Sequence, residues 1–280
     1  MVINQQQMDE INAVQYHIFK EFHNVCKELR LRYYLVHGSL LGALRHKGFF
    51  PMDDDIDVAM PRKDYEVFIR QGQKIIDKRF FIQSYLSEQD YPLVFSKVRA
   101  NDTAFIQPVL QNFNVNQGIY IDVFPIDNYP VNKLSLTWLR LKGWIYGLRT
   151  SERLSLQIDN SVAVRLMAIL SRILQPSWHN ARNKYCELYN KVSDTGNVIV
   201  RGGKVKEVGI PFSLFGTPNH IQFEDINSYA PNNTDNYLKL IYGDYMNYEP
   251  MSKDMVSENE VRISAEIVDV SKSYKEYIKK

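Results

Sequence analysis

The chain has few cysteines and little excess charge, and these shortages exclude several classes of protein. Two cysteines, Cys26 and Cys186, stand among 280 residues, so there is no disulfide framework and no Cys-x-x-Cys pair for zinc. A formal net charge of +2 is too near zero to predict a nucleic-acid partner. We therefore expect a protein of a reducing, cytoplasmic compartment that does not bind nucleic acid.

Long apolar runs are also missing. The first residues, MVINQQQMDEINAVQ, are polar and lack the apolar stretch of a signal peptide, and no run of about 18 apolar residues predicts a membrane span. The composition, 45% hydrophobic and 24% charged, is typical of a globular protein. With 280 residues, the chain can bury a sizeable core.

The first 130 residues alternate between helical and strand-like segments. Apolar residues recur at helical spacing over residues 8–31 and again in RKDYEVFIRQGQKII. A strand ended by Gly38 is predicted for RYYLVHG, and Ser39 is placed to cap the short helix LLGALRH. Further strands are predicted for DIDVAMP, LVFSKVRA and GIYIDVFPIDNYP, the last closed by its two prolines. This order predicts an α/β domain over residues 1–130.

The chain changes character after Pro130. Residues 131–191 have a helical pattern and carry ten Lys or Arg against three Asp or Glu, a net charge of +7. Residues 197–230 return to short strand and turn signals, and a late helix is predicted for NTDNYLKLIYGDYM. We expect a basic helical lobe at residues 131–191 and a C-terminal return to the first domain over residues 192–280.

Residues 53–57 carry four aspartates within five positions, and carboxylates this close repel one another. Because side chains alternate along a strand, Asp55 and Asp57 should share one face. Such a pair suits Mg²⁺, which takes oxygen ligands and binds through one or two carboxylates plus substrate phosphates. Asp53 has the same parity and joins the set if the strand begins early.

Asp122 and a Gly-Ser pair complete the predicted site. Asp122 lies in the apolar strand IYIDVF, where a lone carboxylate is costly to bury, so it is the candidate third metal ligand. Gly38 and Ser39 open a helix whose N-terminal N–H groups can receive an anion. Three cations are candidates for binding phosphate oxygens: Arg45, Lys97 and Arg99.

Each feature alone has a simpler explanation. A Gly-Ser pair is usually a turn and a cap, an Asp-x-Asp pair is usually solvated, and His37 and His46 are more simply structural than metal ligands. Lys97 and Arg99 alone fit an exposed strand face. The combination, in this order and spacing, is far more specific than any member.

In this order the residues resemble a known family. A Gly-Ser pair, a short helix, alternating aspartates and a later strand aspartate are similar to the nucleotidyltransferase fold. More narrowly, HGSLLGALRHKGFFPMDDDIDVAMPRKDY resembles the signature of the LicD family, whose relatives include fukutin and fukutin-related protein. Three later segments also resemble conserved blocks of the family: SKVRANDTAF, GIYIDVFPID and YLKLIYGDYM. Met52 departs from the family, which often has an aromatic residue there, and the resemblance is weakest across residues 131–220.

The resemblance implies a mixed sheet flanked by helices, with a helical insertion. It also implies a phosphotransferase that moves a phospho-alcohol, such as phosphocholine or a polyol phosphate, from a CDP-linked donor to a sugar hydroxyl and releases CMP. The acceptor would be a cell-surface glycan such as a capsule or teichoic acid, carried on a lipid. The family's acidic residues fall on Asp55, Asp57 and Asp122. Asp55 and Asp57 would hold Mg²⁺ or Mn²⁺ on the diphosphate, and Asp122 would either share a metal or take the acceptor proton.

Other functions stay open. A true nucleotidyltransferase would use the same metals but release pyrophosphate, and a scaffold could keep the fold without catalysis. A calcium module is disfavoured, because the spaced ligands and terminal Glu of an EF-hand loop are missing.

Residues 134–153 combine leucine and tryptophan with four cations, Arg140, Lys142, Arg149 and Arg153. This mixture is typical of helices that lie at a membrane interface. The alternative is that the apolar side packs on the catalytic domain while the cations are solvated. We predict peripheral, salt-sensitive contact with the inner face of the membrane.

Overall fold

The computed structural model describes residues 1–51, 53–110, 113–153, 162–190, 192–201, 209–248, 255–257 and 260–278. Its helices are α1 (Gln5–Glu28), α2 (His37–His46), α3 (Arg62–Gln71), α4 (Lys133–Arg153), α5 (Val162–Leu174), α6 (Trp178–Cys186), α7 (Phe212–Phe215) and α8 (Thr234–Tyr242). The strands of the first half are β1 (Val2–Asn4), β2 (Tyr34–Leu35), β3 (Asp57–Pro61), β4 (Phe80–Gln83), β5 (Ser96–Ala100), β6 (Ala104–Ile106) and β7 (Tyr120–Asn128). The later strands are β8 (Asn197–Val200), β9 (Ile210–Pro211), β10 (Asn219–Phe223), β11 (Ile226–Ala230), β12 (Met255–Ser257), β13 (Glu260–Arg262) and β14 (Ile267–Asp269).

A mixed sheet forms the centre of the molecule. Its strand order is β2-β3-β7-β5-β4, and β8 extends it by pairing with the end of β7 and with β9. Strands β3 and β7 run parallel, whereas β2–β3, β5–β7 and β4–β5 are antiparallel. The predicted α/β fold with a mixed sheet flanked by helices is confirmed.

Helix α1 covers this sheet with one apolar face. Ile11, Ile18 and Phe22 are fully or almost fully buried in the main core, as their spacing predicts. The helix begins three residues before the predicted start because Asn4 caps it: the Asn4 side chain accepts from the Gln7 N–H, and the Gln7 side chain accepts from the Asn4 N–H.

Three local predictions were wrong. Helix α2 already begins at His37 after a two-residue strand, so Gly38 ends no strand and Ser39 caps no helix. Strand β7 is not closed at Pro125 but runs through it to Asn128. Pro125 lies between the part of β7 that pairs with β5 and the part that pairs with β8. Its carbonyl oxygen accepts from the Arg201 N–H, and because proline has no N–H, the return bond is missing there.

The segment after β7 is helical, as predicted, in the residues described. Helix α4 packs on α6 through Gly143 and Gly147, where added methyl groups would contact the Tyr185 ring. Arg182 of α6 donates to the carbonyl oxygens of Gln89 and Tyr91 and so fixes the lobe to the sheet domain. Among the helices of the described ranges, none is long and apolar enough to cross a membrane. The division at residues 130 and 191 stays a prediction.

Candidate active site

Three carboxylates converge at the edge where β3 and β7 begin. The parallel register places Asp57 directly opposite Asp122. Asp55 precedes β3, and one oxygen of each of these three carboxylates lies within 4.8 Å of the others. Asp53, Asp54 and Asp55 form a second group with the same spacing. A set made only of carboxylate oxygens fits Mg²⁺ or Mn²⁺, which prefer hard oxygen ligands.

Asp122 is not the lone buried carboxylate that the apolar strand predicts. Strand β5 is antiparallel to β7 with Lys97 opposite Asp122, and the Lys97 ammonium donates to Asp122 Oδ1 at 2.5 Å. The ammonium also lies 3.3 Å from the centre of the Tyr120 ring, which attracts it electrostatically. The sequence missed this pair because register between strands is a tertiary property.

Burial governs the protonation of the Asp122–Lys97 pair. It raises the pKa of the Asp122 carboxyl; the Lys97 charge opposes that rise and the nearby Asp55 adds to it. The pKa of Lys97 is lowered, again mainly by burial. A cation beside the three carboxylates would favour the ionised form of Asp122, so the electrostatics fit the metal that the donor set suggests.

Side chains outside the carboxylate set hold Asp57 and the preceding loop in place. Asp57 Oδ2 lies 3.2 Å from His37 Nδ1, and the Asp57 N–H donates to Ser39 Oγ at 2.8 Å. Gln15 of α1 donates to the Asp54 carbonyl oxygen at 2.7 Å. His37 has φ of 49°, a left-handed conformation that is uncommon for residues other than glycine and recurs at functional sites.

His37 and Gln15 were not among the predicted site residues. The position of His37 directly before the Gly-Ser pair was the available signal. Gln15 gave no such signal, because it lies in α1, far from the aspartates along the chain.

Gly38 allows the close approach of Asp53 to α2. A methyl group at Gly38 would overlap the Asp53 carboxylate, so only glycine leaves that carboxylate where it is. Both residues thus lie at the predicted site, Gly38 in the first turn of α2 and Asp53 in the loop before β3.

The three predicted phosphate-binding cations are not brought together. Lys97 contacts the carboxylates, as described above. Arg99 is fully buried and donates to Gln83 Oε1 at 2.5 Å and to the Gly118 carbonyl oxygen at 2.6 Å, so it holds strands together. Arg45 lies at the other end of α2 and donates to the Tyr248 carbonyl oxygen at 2.6 Å.

A cavity of about 710 Å³ opens beside the acidic loop. Its aromatic lining is Tyr16, Phe49 and Phe50, and its acidic lining is Asp9, Glu224 and Asp225. Pro51, two residues before Asp53 in the chain, is part of the lining, whereas Asp55, Asp57 and Asp122 are not. Aromatic faces combined with carboxylates suit an organic cation.

Comparison with known proteins agrees with this geometry. Residues 30–146 match the family described as LicD/FKTN/FKRP, nucleotidyltransferase domain. Over 255 residues, 89% of this chain and 93% of the relative, the sequence is 24% identical to lipopolysaccharide cholinephosphotransferase LicD of Haemophilus influenzae. It is 28% identical over 115 residues to an uncharacterized protein of Rickettsia prowazekii, covering 41% of this chain and 40% of that protein. The resemblance predicted from the motifs is confirmed: residues 30–146 match the LicD-family nucleotidyltransferase domain.

Proposed function

We propose that the protein is a metal-dependent phosphotransferase that moves phosphocholine from CDP-choline to a sugar hydroxyl of a cell-surface glycan and releases CMP. The convergence of Asp55, Asp57 and Asp122 carries this proposal, because such a set can hold the divalent cation that a diphosphate donor needs. The cholinephosphotransferase of Haemophilus influenzae, similar over 89% of this chain, supports both the reaction class and the glycan acceptor.

In the proposed reaction, the acceptor oxygen forms a bond to the phosphorus that carries choline. The bond from that phosphorus to the bridging oxygen of the diphosphate breaks, CMP leaves with the electron pair, and the hydroxyl proton passes to a base. Bound Mg²⁺ would neutralise charge on the diphosphate. Asp55 and Asp57 are assigned to hold the metal. Because Lys97 engages Asp122 Oδ1, Oδ2 of Asp122 is assigned to share the metal or to take the proton.

The cavity beside the acidic loop supports choline as the alcohol. A quaternary ammonium is attracted to aromatic faces, and Tyr16, Phe49 and Phe50 line this space. The carboxylate of Glu224, which is exposed on the same lining, adds negative charge. A neutral polyol would gain nothing from that charge, so we expect CDP-choline to be preferred over CDP-ribitol. Glu224→Gln should then raise KM for CDP-choline more than for CDP-ribitol.

The experiment is an incubation with CDP-choline, CDP-ribitol or each nucleoside triphosphate, in MgCl₂ or MnCl₂, with lipopolysaccharide as acceptor. CMP release and choline incorporation from CDP-choline, abolished by chelation of the metal, are expected. Pyrophosphate release from a triphosphate would instead establish the nucleotidyltransferase alternative. No turnover of any nucleotide, and no thermal stabilisation by any of them, would favour the scaffold alternative.

We assign the reaction to the cytoplasm and the acceptor to a lipid carrier. Cys26 and Cys186 are both free and buried, which suits a reducing compartment. A lipid-linked acceptor would bring the site close to the inner face of a membrane.

A further inference from the structure

One face of α4 is apolar and exposed. Leu134, Trp138 and Leu141 expose 69%, 57% and 45% of their surfaces, and their spacing of four and three residues aligns them along one side of the helix. At 100° per residue, Gly143 lies on the opposite side, and that side packs against Tyr185 and Leu188. The apolar stripe therefore points away from the rest of the lobe.

Helix α5 adds a second exposed apolar face beside α4, with which it is in contact. Five of its large apolar side chains expose between 49% and 69% of their surfaces: Leu166, Ile169, Leu170, Ile173 and Leu174. Arg149 holds the end of α5 against α4, because it donates to the carbonyl oxygens of Gln175 and Pro176 just beyond α5. Monomeric soluble proteins rarely expose large apolar patches without a partner.

Cations flank the stripe on α4. Arg140 and Lys142 are exposed and precede and follow Leu141, so they lie on its two sides, and Lys133 is exposed beside Leu134. Arg140 also donates to the Tyr129 hydroxyl at 3.3 Å. No Asp or Glu occurs from residue 133 to residue 151. The stripe is thus apolar, includes a tryptophan and is bordered by positive charges. Such a surface is complementary to the headgroups and acyl chains of an anionic membrane.

We propose that α4 and α5 dock on the surface of an anionic lipid bilayer, with both helices lying in the plane of the interface. The proposal revises the cations predicted from the sequence: Lys133, Arg140 and Lys142 meet the lipid, Arg149 instead fixes the end of α5, and the side chain of Arg153 lies outside the described residues. It uses neither the metal nor the donor, so it stands or fails separately from the transfer reaction.

The test is a vesicle titration of the full chain without nucleotide or metal. Vesicles of phosphatidylcholine with 30% phosphatidylglycerol are compared with phosphatidylcholine alone, at low and high salt. We expect binding to the anionic vesicles that high salt weakens. Because each cation near the surface contributes about 1 kcal/mol, Lys133→Gln/Arg140→Gln/Lys142→Gln should weaken it roughly hundredfold.

Matched variants distinguish binding through this surface from a general effect of the positive charge of the protein. Lys27→Gln/Lys74→Gln/Lys78→Gln removes three exposed cations from the sheet domain and should bind as the unaltered chain does. Trp138→Gln/Leu141→Gln keeps every charge and should lose binding. The proposal is overturned if anionic vesicles are not bound, or if both lobe variants bind normally. It is also overturned if light scattering shows a dimer that Trp138→Gln/Leu141→Gln dissociates, because a second copy would then cover the face.

Discussion

The Lys97 ammonium and the Asp122 carboxylate form an ion pair at 2.5 Å in the interior of the sheet, with side-chain exposures of 3% and 10%. Together with Asp55 and Asp57, the group comprises three carboxylates and one ammonium. When all are ionised, the net charge is −2, which one divalent cation neutralises. Lys97 therefore sets the charge of the site and ties it to the core.

Asp57→Asn is predicted to reduce transfer activity at least tenfold, a barrier increase of about 1.4 kcal/mol. The change removes one metal-ligand charge while preserving side-chain shape, so the fold should survive. Choline incorporation and the melting temperature measure the two effects. Asp102→Asn, which alters an exposed aspartate elsewhere, is the matched control. Activity above about a tenth of the original, with Mg²⁺ still required, would show that Asp57 is not a ligand.

Asp122→Asn is predicted to destabilise the metal-free protein by about 3 kcal/mol, because it leaves the buried Lys97 ammonium without its partner charge. Lys97→Met added to Asp122→Asn should recover most of that loss, since no buried charge then remains. Urea unfolding of both single variants and the double variant gives the coupling. Additive losses would mean that the pair contributes little. Neither Asp122→Asn nor the double variant should have transfer activity.

Gly38→Ala is predicted to impair the site while leaving the fold intact. Alanine is the better helix former by about 1 kcal/mol, but its methyl group overlaps the Asp53 carboxylate. Transfer activity and Mn²⁺ affinity should fall at least as far as they do in Asp53→Ala. In the Asp53→Ala background, Gly38→Ala should cost nothing further. An independent loss in that background would assign Gly38 a role other than admitting Asp53.

The sequence predicted the features that depend on residues close together in the chain, and it missed the contacts between distant segments. The alternation of Asp55 and Asp57, and the odd carboxylate in IYIDVF, are local patterns, and they predicted three residues that converge. Ser39 was misassigned as a cap because its partner is the Asp57 N–H on another element. Lys97 and Arg99 read alike along β5, yet one reaches Asp122 and the other Gln83. Register decided between them, because Lys97 lies opposite Asp122 whereas Arg99 lies opposite Tyr120, and no local pattern encodes register.

Acidification is predicted to destabilise the protein through His23. Burial lowers the pKa of His23 to about 4, and its Nδ1 hydrogen-bonds the Tyr33 hydroxyl at 2.7 Å. An unfolded chain takes up the proton near pH 6.5, so stability is unaffected above that pH and falls as the pH drops from about 6.5 towards 4. The urea midpoint should decrease between pH 7 and pH 5.

His23→Asn removes the titrating ring and should show a smaller decrease over the same interval. His17→Asn, at an exposed position of the same helix, should behave as the unaltered chain does. Equal pH dependence in all three proteins would show that folding does not lower the pKa of His23.

The parallel pairing of β3 with β7 determines when the metal centre can assemble during synthesis. Asp57 leaves the ribosome before Asp122, and α3, β4 and β5 lie between them in the chain. A nascent chain that ends before β7 has the acidic loop but lacks Asp122, which is both the third carboxylate and the partner of Lys97. The complete cation site therefore forms only once β7 has inserted between β3 and β5, so metal uptake marks a finished sheet.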